Sequence, residues 1–279
     1  MMKKLISLLT KIFPRQILIK FSYLFSILIR PFYWGNKVEC PVCGKHFRKF
    51  LPYGYGEAMD NRLCPSCLSL ERHRLLWLYL KEKTGFFTDE LKVLHFAPEQ
   101  PFLKRFKSLK NLDYTTADLD SPIADLHLDV TKIDLPDNTY DVVICNHVLE
   151  HVDNVDNAFS EIKRILKPNG WAILMVPINP NVDTFEDPSI TDPKERQRLF
   201  GQYDHVRQFG RDYADVLTKA GFKVDTDRLY YEIPENQRDR MRLARPGEEL
   251  VYRVVKDNSD THKSVGVVYK RYMSQRICA

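Results

Sequence analysis

The chain has 279 residues, 44% hydrophobic and 28% charged, with a net charge of +5. That is enough for one catalytic domain and a small accessory module, and it excludes a disordered, fibrous or disulfide-dense chain. The charge is uneven: residues 1–38 carry seven Lys or Arg and no acid, so the remainder is at −2. This argues against a dedicated nucleic-acid binder, whose basic residues would cover a folded face.

Residues 1–37 form a basic, apolar arm, richest in apolar residues between Ile17 and Ile29 with Lys20 inside. The uncharged stretch is shorter than the ~20 residues a spanning helix needs. Basic residues before an apolar run also suit a signal peptide. No small-x-small cleavage site follows, however, and Arg30-Pro31-Phe32-Tyr33-Trp34 is a poor exit. A membrane-surface anchor over residues 1–36 fits better, with Lys and Arg among headgroups and the three aromatics at the interface. The other reading is a helix packed on the protein itself.

Residues 38–83 hold Cys40-Pro41-Val42-Cys43 and Cys64-Pro65-Ser66-Cys67, with twenty residues between the pairs. Two thiolates two residues apart can face one ion from a tight turn, and the spacing is that expected of a four-cysteine Zn2+ site. Four thiolates leave no open position, so such an ion is structural. Two disulfides, or four unrelated thiols, are the competing readings. Cys145 and Cys278 stand alone, and this cysteine usage suits a reducing cytosol. His46 and His73 read as surface histidines. A helix follows, with Leu75, Leu76, Leu78 and Leu80 on its apolar side.

The catalytic domain is assigned to residues 84–279. Strands are expected at Lys92–Phe96, Tyr114–Asp118, Leu126–Val130, Tyr140–Cys145 and Trp171–Val176, with closing strands near Phe222–Val224 and Leu250–Val255. Between them, Val155, Ala158, Phe159, Ile162, Ile165 and Leu166 recur at helical steps; Asp153 or Asn154 can cap the start, and Pro168-Asn169-Gly170 ends it. A second helix is expected near Asp212–Lys219. The alternation implies an α/β fold with a mostly parallel sheet covered by helices. Residues 177–209 are polar and irregular, and can serve as a lid.

In such a sheet, ligand contacts come from loops at the carboxyl ends of strands. Those positions hold His95-Phe96-Ala97-Pro98-Glu99, Asp118, Asp129-Val130 and Asn146 through His151. A lone Asp at a strand end is usually a turn residue; the ordered series carries the weight.

The stretch from Asp129 through Pro177, DVTKIDLPDNTYDVVICNHVLEHVDNVDNAFSEIKRILKPNGWAILMVP, resembles the core of class I methyltransferases of the ubiquinone-biosynthesis type. Residues 38–255, including SLERHRLLWLYL at 69–80 and FGQYDHVRQFGRDY at 200–213, are similar to a bacterial group of such enzymes with a CPxC–CPxC module in front. The resemblance implies a seven-stranded Rossmann-like sheet with an antiparallel last strand, and S-adenosyl-L-methionine as methyl donor. It places Asp118 on the ribose, Asp129 and Val130 on the adenine, and Asn146 beside the methionine part. One departure stands out: the glycine-rich loop after the first strand is replaced by His95–Glu99, where Ala97 supplies a small side chain and Glu99 a polar contact. The opposing reading is a degenerate cofactor site in a non-catalytic domain.

His147, His151 and His205 are candidate bases for the acceptor. Asp204 can orient His205, unless Tyr203–Arg207 is simply a structural turn. His147 and His151 are four residues apart, and the resemblance sets them along the cofactor pocket rather than on a metal. Cys145 reads as a packed thiol. No Pro-Pro-aromatic follows Asn146, which weighs against methylation of a nucleobase amine. The expected acceptor is a hydroxyl of a cell-surface glycan, its lipid-linked precursor or another small polar molecule, handled in the cytoplasm at the inner face of the membrane. The resembling group's association with surface-polysaccharide pathways points the same way. The second expectation is an RNA methyltransferase gripping phosphates with Arg48, Lys49, Arg62, Arg72 and Arg74. The third is a non-enzymatic cofactor sensor or scaffold.

Overall fold

The computed structural model describes residues 15–54, 58–244 and 247–256, with side chains from residue 24 onward. Seven strands make the central sheet: β1 (Leu91–Phe96), β2 (Leu112–Asp118), β3 (Leu126–His127), β4 (Tyr140–Cys145), β5 (Leu166–Ile173), β6 (Phe222–Asp227) and β7 (Val251–Lys256). Their order is β6-β7-β5-β4-β1-β2-β3. Neighbours run parallel except β7, which is antiparallel to both β5 and β6. The sheet is therefore the seven-stranded, mostly parallel one expected. β3 is shorter than its apolar pattern suggested, and β5 begins earlier, at Leu166, with a register shift against β4 around Asn169.

Both faces of the sheet are buried, and the pleat sorts the side chains between them. Val93, Val142, Ile144, Trp171, Ile173 and Val251 point to one face. Leu94, Phe96, Val143, Cys145, Ala172 and Val254 point to the other. The second face is covered by α-helices at Val155–Ile165 and Tyr213–Lys219, through Ala158, Phe159, Ile162, Ile165, Tyr213 and Leu217. Asn154 caps the first of these, accepting from the Asn157 N–H at 3.0 Å.

The first face is covered largely by the cysteine segment. Two antiparallel hairpins, Trp34–Cys40 with Lys45–Phe47 and Leu51–Tyr53 with Met59–Leu63, lead into a helix at Glu71–Glu82. Val38, Cys40, Phe47, Phe50, Cys64, Leu75, Leu76 and Leu80 share one core with the sheet and with Phe102 and Phe106 of the helix Gln100–Lys107. Side chains from both sides of position 83/84 contribute to this core. Arg74 is fully buried here. It donates to the carbonyls of Arg62, Ser69 and Arg242 and lies over the Phe50 ring.

The arm enters as a helix at Arg15–Tyr33. Leu24, Phe25, Ile27, Leu28 and Phe32 are exposed on it, as is Trp34 just beyond, whereas Ser26 is buried. Arg30 tethers the helix to the carbonyl of Ser66 at 3.4 Å. Among the described residues no helix is long and apolar enough to cross a membrane. Residues 1–14 of the expected anchor, and Cys278, lie outside the described residues.

The segment at 177–209, read as irregular, contains structure. Arg207–Gly210 pairs in parallel with Ile178–Asn179 and antiparallel with Phe185–Glu186. The helix Pro193–Phe200 is capped by Asp192, which accepts from the N–H groups of Lys194 and Glu195, and it ends at Gly201 in the left-handed region (φ 89°). Pairings of two residues leave no periodic pattern to read.

Candidate active site

The carboxyl ends of β1 and β4 open on a cavity of about 650 Å³. It is lined by Ala97, Glu99, Asn146, His147, His151 and His205, all singled out from sequence, together with Glu150, which was not. The cysteine segment supplies another wall through Leu68, Leu70, Arg72 and His73. Asp118, Asp129 and Val130 lie outside this lining, on the loops after β2 and β3.

The loop after β1 solves its turn without glycine. Ala97 sits in the left-handed region (φ 46°), and its N–H bonds the Ala117 carbonyl at 2.8 Å. That conformation costs a non-glycine residue about 1 kcal/mol or more. Glu99 is held from several sides. His95 Nε2 lies 2.9 Å and Asn146 Nδ2 3.5 Å from Oε2, and His73 Nε2 stands 3.4 Å from Oε1. Burial alone would raise the Glu99 pKa, but His73 and His95 hold it below the usual carboxylate range. His95 in turn meets the Tyr114 hydroxyl at 2.7 Å. Glu99 is thus a charged post of the loop, engaged with its neighbours. Asn146 also accepts from the Met175 N–H at 3.3 Å, joining the β1 and β5 ends.

His73 corrects the surface reading. It is buried, its Nδ1 accepts from the Leu70 N–H at 2.9 Å, and burial, assisted by the charge of Arg72, lowers its pKa to about 4. His46 is exposed, as expected.

Asp118 turns one oxygen, Oδ1, to the N–H groups of Asp120 and Ser121 at 3.0 and 2.7 Å, leaving Oδ2 outside those bonds. Asp129 is exposed and accepts from the Thr131 N–H and hydroxyl, both at 2.8 Å, while Val130 is buried. Oδ1 of Asp129 is therefore a turn cap.

At the far end of the cavity, Glu150 is buried, with Oε1 facing His147 Nδ1 at 3.4 Å. Burial would raise its pKa, but the adjacent His147 holds it below the ordinary value. His205 is buried, its Nδ1 3.0 Å from the Phe200 carbonyl, and burial lowers its pKa. Its ring stands edge-on to His151, centroids 4.8 Å apart. Asp204 reaches toward His151, at 3.6 Å, rather than toward His205. Sequence reasoning passed over Glu150; its position between His147 and His151 was the available signal. Cys145 is buried and burial pushes its thiol up, which suits packing rather than attack.

Cys40, Cys43, Cys64 and Cys67 converge. Their sulfurs all lie within 4.8 Å of one another, with Cys40–Cys67 at 3.5 Å and Cys43–Cys64 at 3.8 Å. These separations exceed a disulfide bond of about 2.05 Å. They match the ~3.8 Å between thiolates that share a tetrahedral ion at about 2.3 Å. Each pair sits in the same turn. Gly44 N–H bonds the Cys40 carbonyl and Leu68 N–H the Cys64 carbonyl, and both Gly44 (φ 66°) and Leu68 (φ 60°) are left-handed.

Residues 84–174 match the family model described as Methyltransferase domain. The match spans about a third of the chain. No curated protein matches the chain. Among solved structures, 1,6-didemethyltoxoflavin-N1-methyltransferase of Burkholderia thailandensis, with bound 1,6-didemethyltoxoflavin and S-adenosylhomocysteine, is 16% identical. The match covers 66% of this chain and 76% of that one, with a TM-score of 0.44. An S-adenosylmethionine-dependent methyltransferase of Mesorhizobium loti is 15% identical over 64% of this chain and 96% of its own, with a TM-score of 0.42. The YcgJ protein of Bacillus subtilis is 14% identical over 66% and 98%, with a TM-score of 0.43.

Proposed function

We propose that this methyltransferase acts on a hydroxyl of a cell-surface glycan, its lipid-linked precursor or another small polar molecule. The observation that carries the reading is the far end of the cavity, where His147, Glu150, His151 and His205 gather. A hydroxyl is a poor nucleophile until its proton is drawn away, and imidazoles and a carboxylate are the groups to do that. The cofactor supplies an electrophilic methyl on a sulfonium. Ala97 would allow close approach of the backbone, Glu99 would add a polar contact, Asp118 would hold the ribose, Asp129 and Val130 the adenine end, and Asn146 would border the methionine part. The four cysteines would hold one structural zinc ion.

The RNA reading loses two of its five cations: Arg74 is buried on carbonyls, and Arg62 is buried against Glu71. The exposed apolar side chains of the Arg15–Tyr33 helix, beside a basic N-terminal stretch, support attachment to an anionic membrane surface.

Calorimetry with S-adenosylhomocysteine tests the pocket: Asp118→Ala should weaken binding by about 1–3 kcal/mol. Methyl transfer is then assayed on lipid-linked glycan fractions and on RNA. Protein lacking residues 1–36 should bind neither RNA at physiological salt nor anionic vesicles, while the full chain binds vesicles in a salt-sensitive manner. Tight, salt-sensitive RNA binding by the shortened protein would overturn the glycan reading.

A further inference from the structure

We infer that Glu150, His151 and His205 form a binding site for a first-row divalent cation, distinct from the cysteine cluster, which engages the acceptor hydroxyl. Each residue offers one donor atom, and these atoms all lie within 4.8 Å of one another. Donors about 2.1 Å from a shared ion stand at most about 4.2 Å apart. Small side-chain rotations close that gap.

Three features argue for a ligand here rather than a chance cluster. Glu150 is 2% exposed, and its Oε2 is buried with no hydrogen-bond partner. His147 faces only the other oxygen. A buried carboxylate oxygen left so is costly unless a cation or donor meets it. Second, the Nδ1 of His205 is occupied by the Phe200 carbonyl, which fixes the ring and leaves Nε2 as the free donor, the usual outer support of a metal-binding histidine. Third, the two chain segments are locked together. The Val206 N–H bonds the Glu150 carbonyl at 2.9 Å, and Arg207, beside them, donates to the carbonyls of Leu149 and Asp153 at 2.7 and 3.0 Å. The donors are thus held in place before any ion arrives.

Two imidazoles and one carboxylate leave coordination positions open, unlike the four thiolates. All three residues line the cavity that also holds Ala97 and Asn146. An acceptor oxygen bound there is more acidic, and with the other three groups engaged as ligands His147 is the one left to draw its proton away. The oxygen's lone pair then forms the O–CH3 bond as the S–CH3 bond breaks, and the sulfonium becomes a neutral thioether. A vicinal diol, as on a sugar, can fill two open positions at once. This deepens the hydroxyl-methyltransferase reading and depends on it for the acceptor.

Full-length protein carrying zinc on its cysteines is titrated with Co2+ and followed by absorption and calorimetry. One further equivalent should bind, with d–d bands but no thiolate-to-cobalt charge transfer. Glu150→Gln, and His205→Asn, which keeps a donor toward Phe200, should each weaken it at least tenfold while cysteine-bound zinc is retained. If either variant loses that zinc, the exposed His151→Ala replaces it. Absence of a second equivalent, or binding indifferent to the substitutions, overturns the site. Cobalt binding without hydroxyl methylation refutes the functional reading alone. Methylation by protein that binds no second ion refutes the cation alone.

Discussion

His73 shows how one buried side chain ties the cysteine segment to the β1 loop. Its Nδ1 takes the Leu70 N–H, one of the donors that a helix start leaves unpaired. Its ring lies edge-on to Phe102, and its Nε2 faces Glu99. Only the neutral imidazole can do this, because protonated Nδ1 cannot accept. The folded pKa of about 4 lies below the ordinary 6.5, so the neutral form is favoured by folding. The stability this contributes is complete above pH 6.5 and is lost as pH falls toward 4, by about 3 kcal/mol across that window. His73→Asn keeps an acceptor for the Leu70 N–H but does not titrate. Its urea-derived stability should fall less steeply between pH 7 and 4.5 than that of the wild type; equal slopes would remove His73 from this role. Nothing local in the sequence marks His73 as buried, because its surroundings, Phe102 and Glu99, come from a distant loop and helix. The glycine-like turn at Ala97 was hidden for a related reason: residue type argued against a conformation that the packing imposes.

The cover at 177–210 depends on Arg207, which is 3% exposed. Besides Leu149 and Asp153 it donates to the Val152 carbonyl and pairs with Glu186. One guanidinium fork thereby joins the small three-stranded sheet to the turn presenting Glu150 and His151. Tyr203–Arg207 is therefore a structural turn as well as the carrier of His205. Arg207→Met fills the volume and strips the donors that meet the carbonyls of Leu149, Val152 and Asp153. A loss of about 2–4 kcal/mol is expected. Hydrogen exchange should quicken at 149–153 and at 207–210 together; protection of either segment at the wild-type level would show that the clamp is not what holds them. At this scale the long elements were legible, since the pleat alternation of β1 and β4 and the three-and-four spacing of Val155–Ile165 are both strong periodicities. The Asp192-Pro193 start with Gly201 beyond is a capping signal that the irregular reading of 177–209 passed over. The two-residue strands around it were not legible, because they exist only through their partner.

At the scale of the molecule, the cysteine cluster is part of the main core. Cys40 and Cys64 are fully buried in the same apolar cluster as Val93, Ile144 and Trp171. The helix that follows them, Glu71–Glu82, covers one sheet face and lines the cavity through Arg72 and His73. The helix Glu235–Met241 closes over the Trp34–Cys40 strand, with Arg240 bonded to Glu39 at 2.8 Å and Asn36 at 3.0 Å. The cysteine pairs were legible from their spacing, which is silent about the residues that pack behind them. The arrangement has a consequence for metal removal. A structural zinc contributes on the order of 10 kcal/mol in small peptides, comparable with the whole stability of a domain, about 5–15 kcal/mol. If the four thiolates hold zinc, stripping it under reducing conditions should unfold the sheet along with the hairpins, in one cooperative transition. Binding of S-adenosylhomocysteine should disappear over the same chelator range, because the cavity wall leaves with the helix. Calorimetry is the decisive measurement: two separated transitions, with cofactor binding persisting after the first, would show that the cysteine segment folds independently of the sheet it covers.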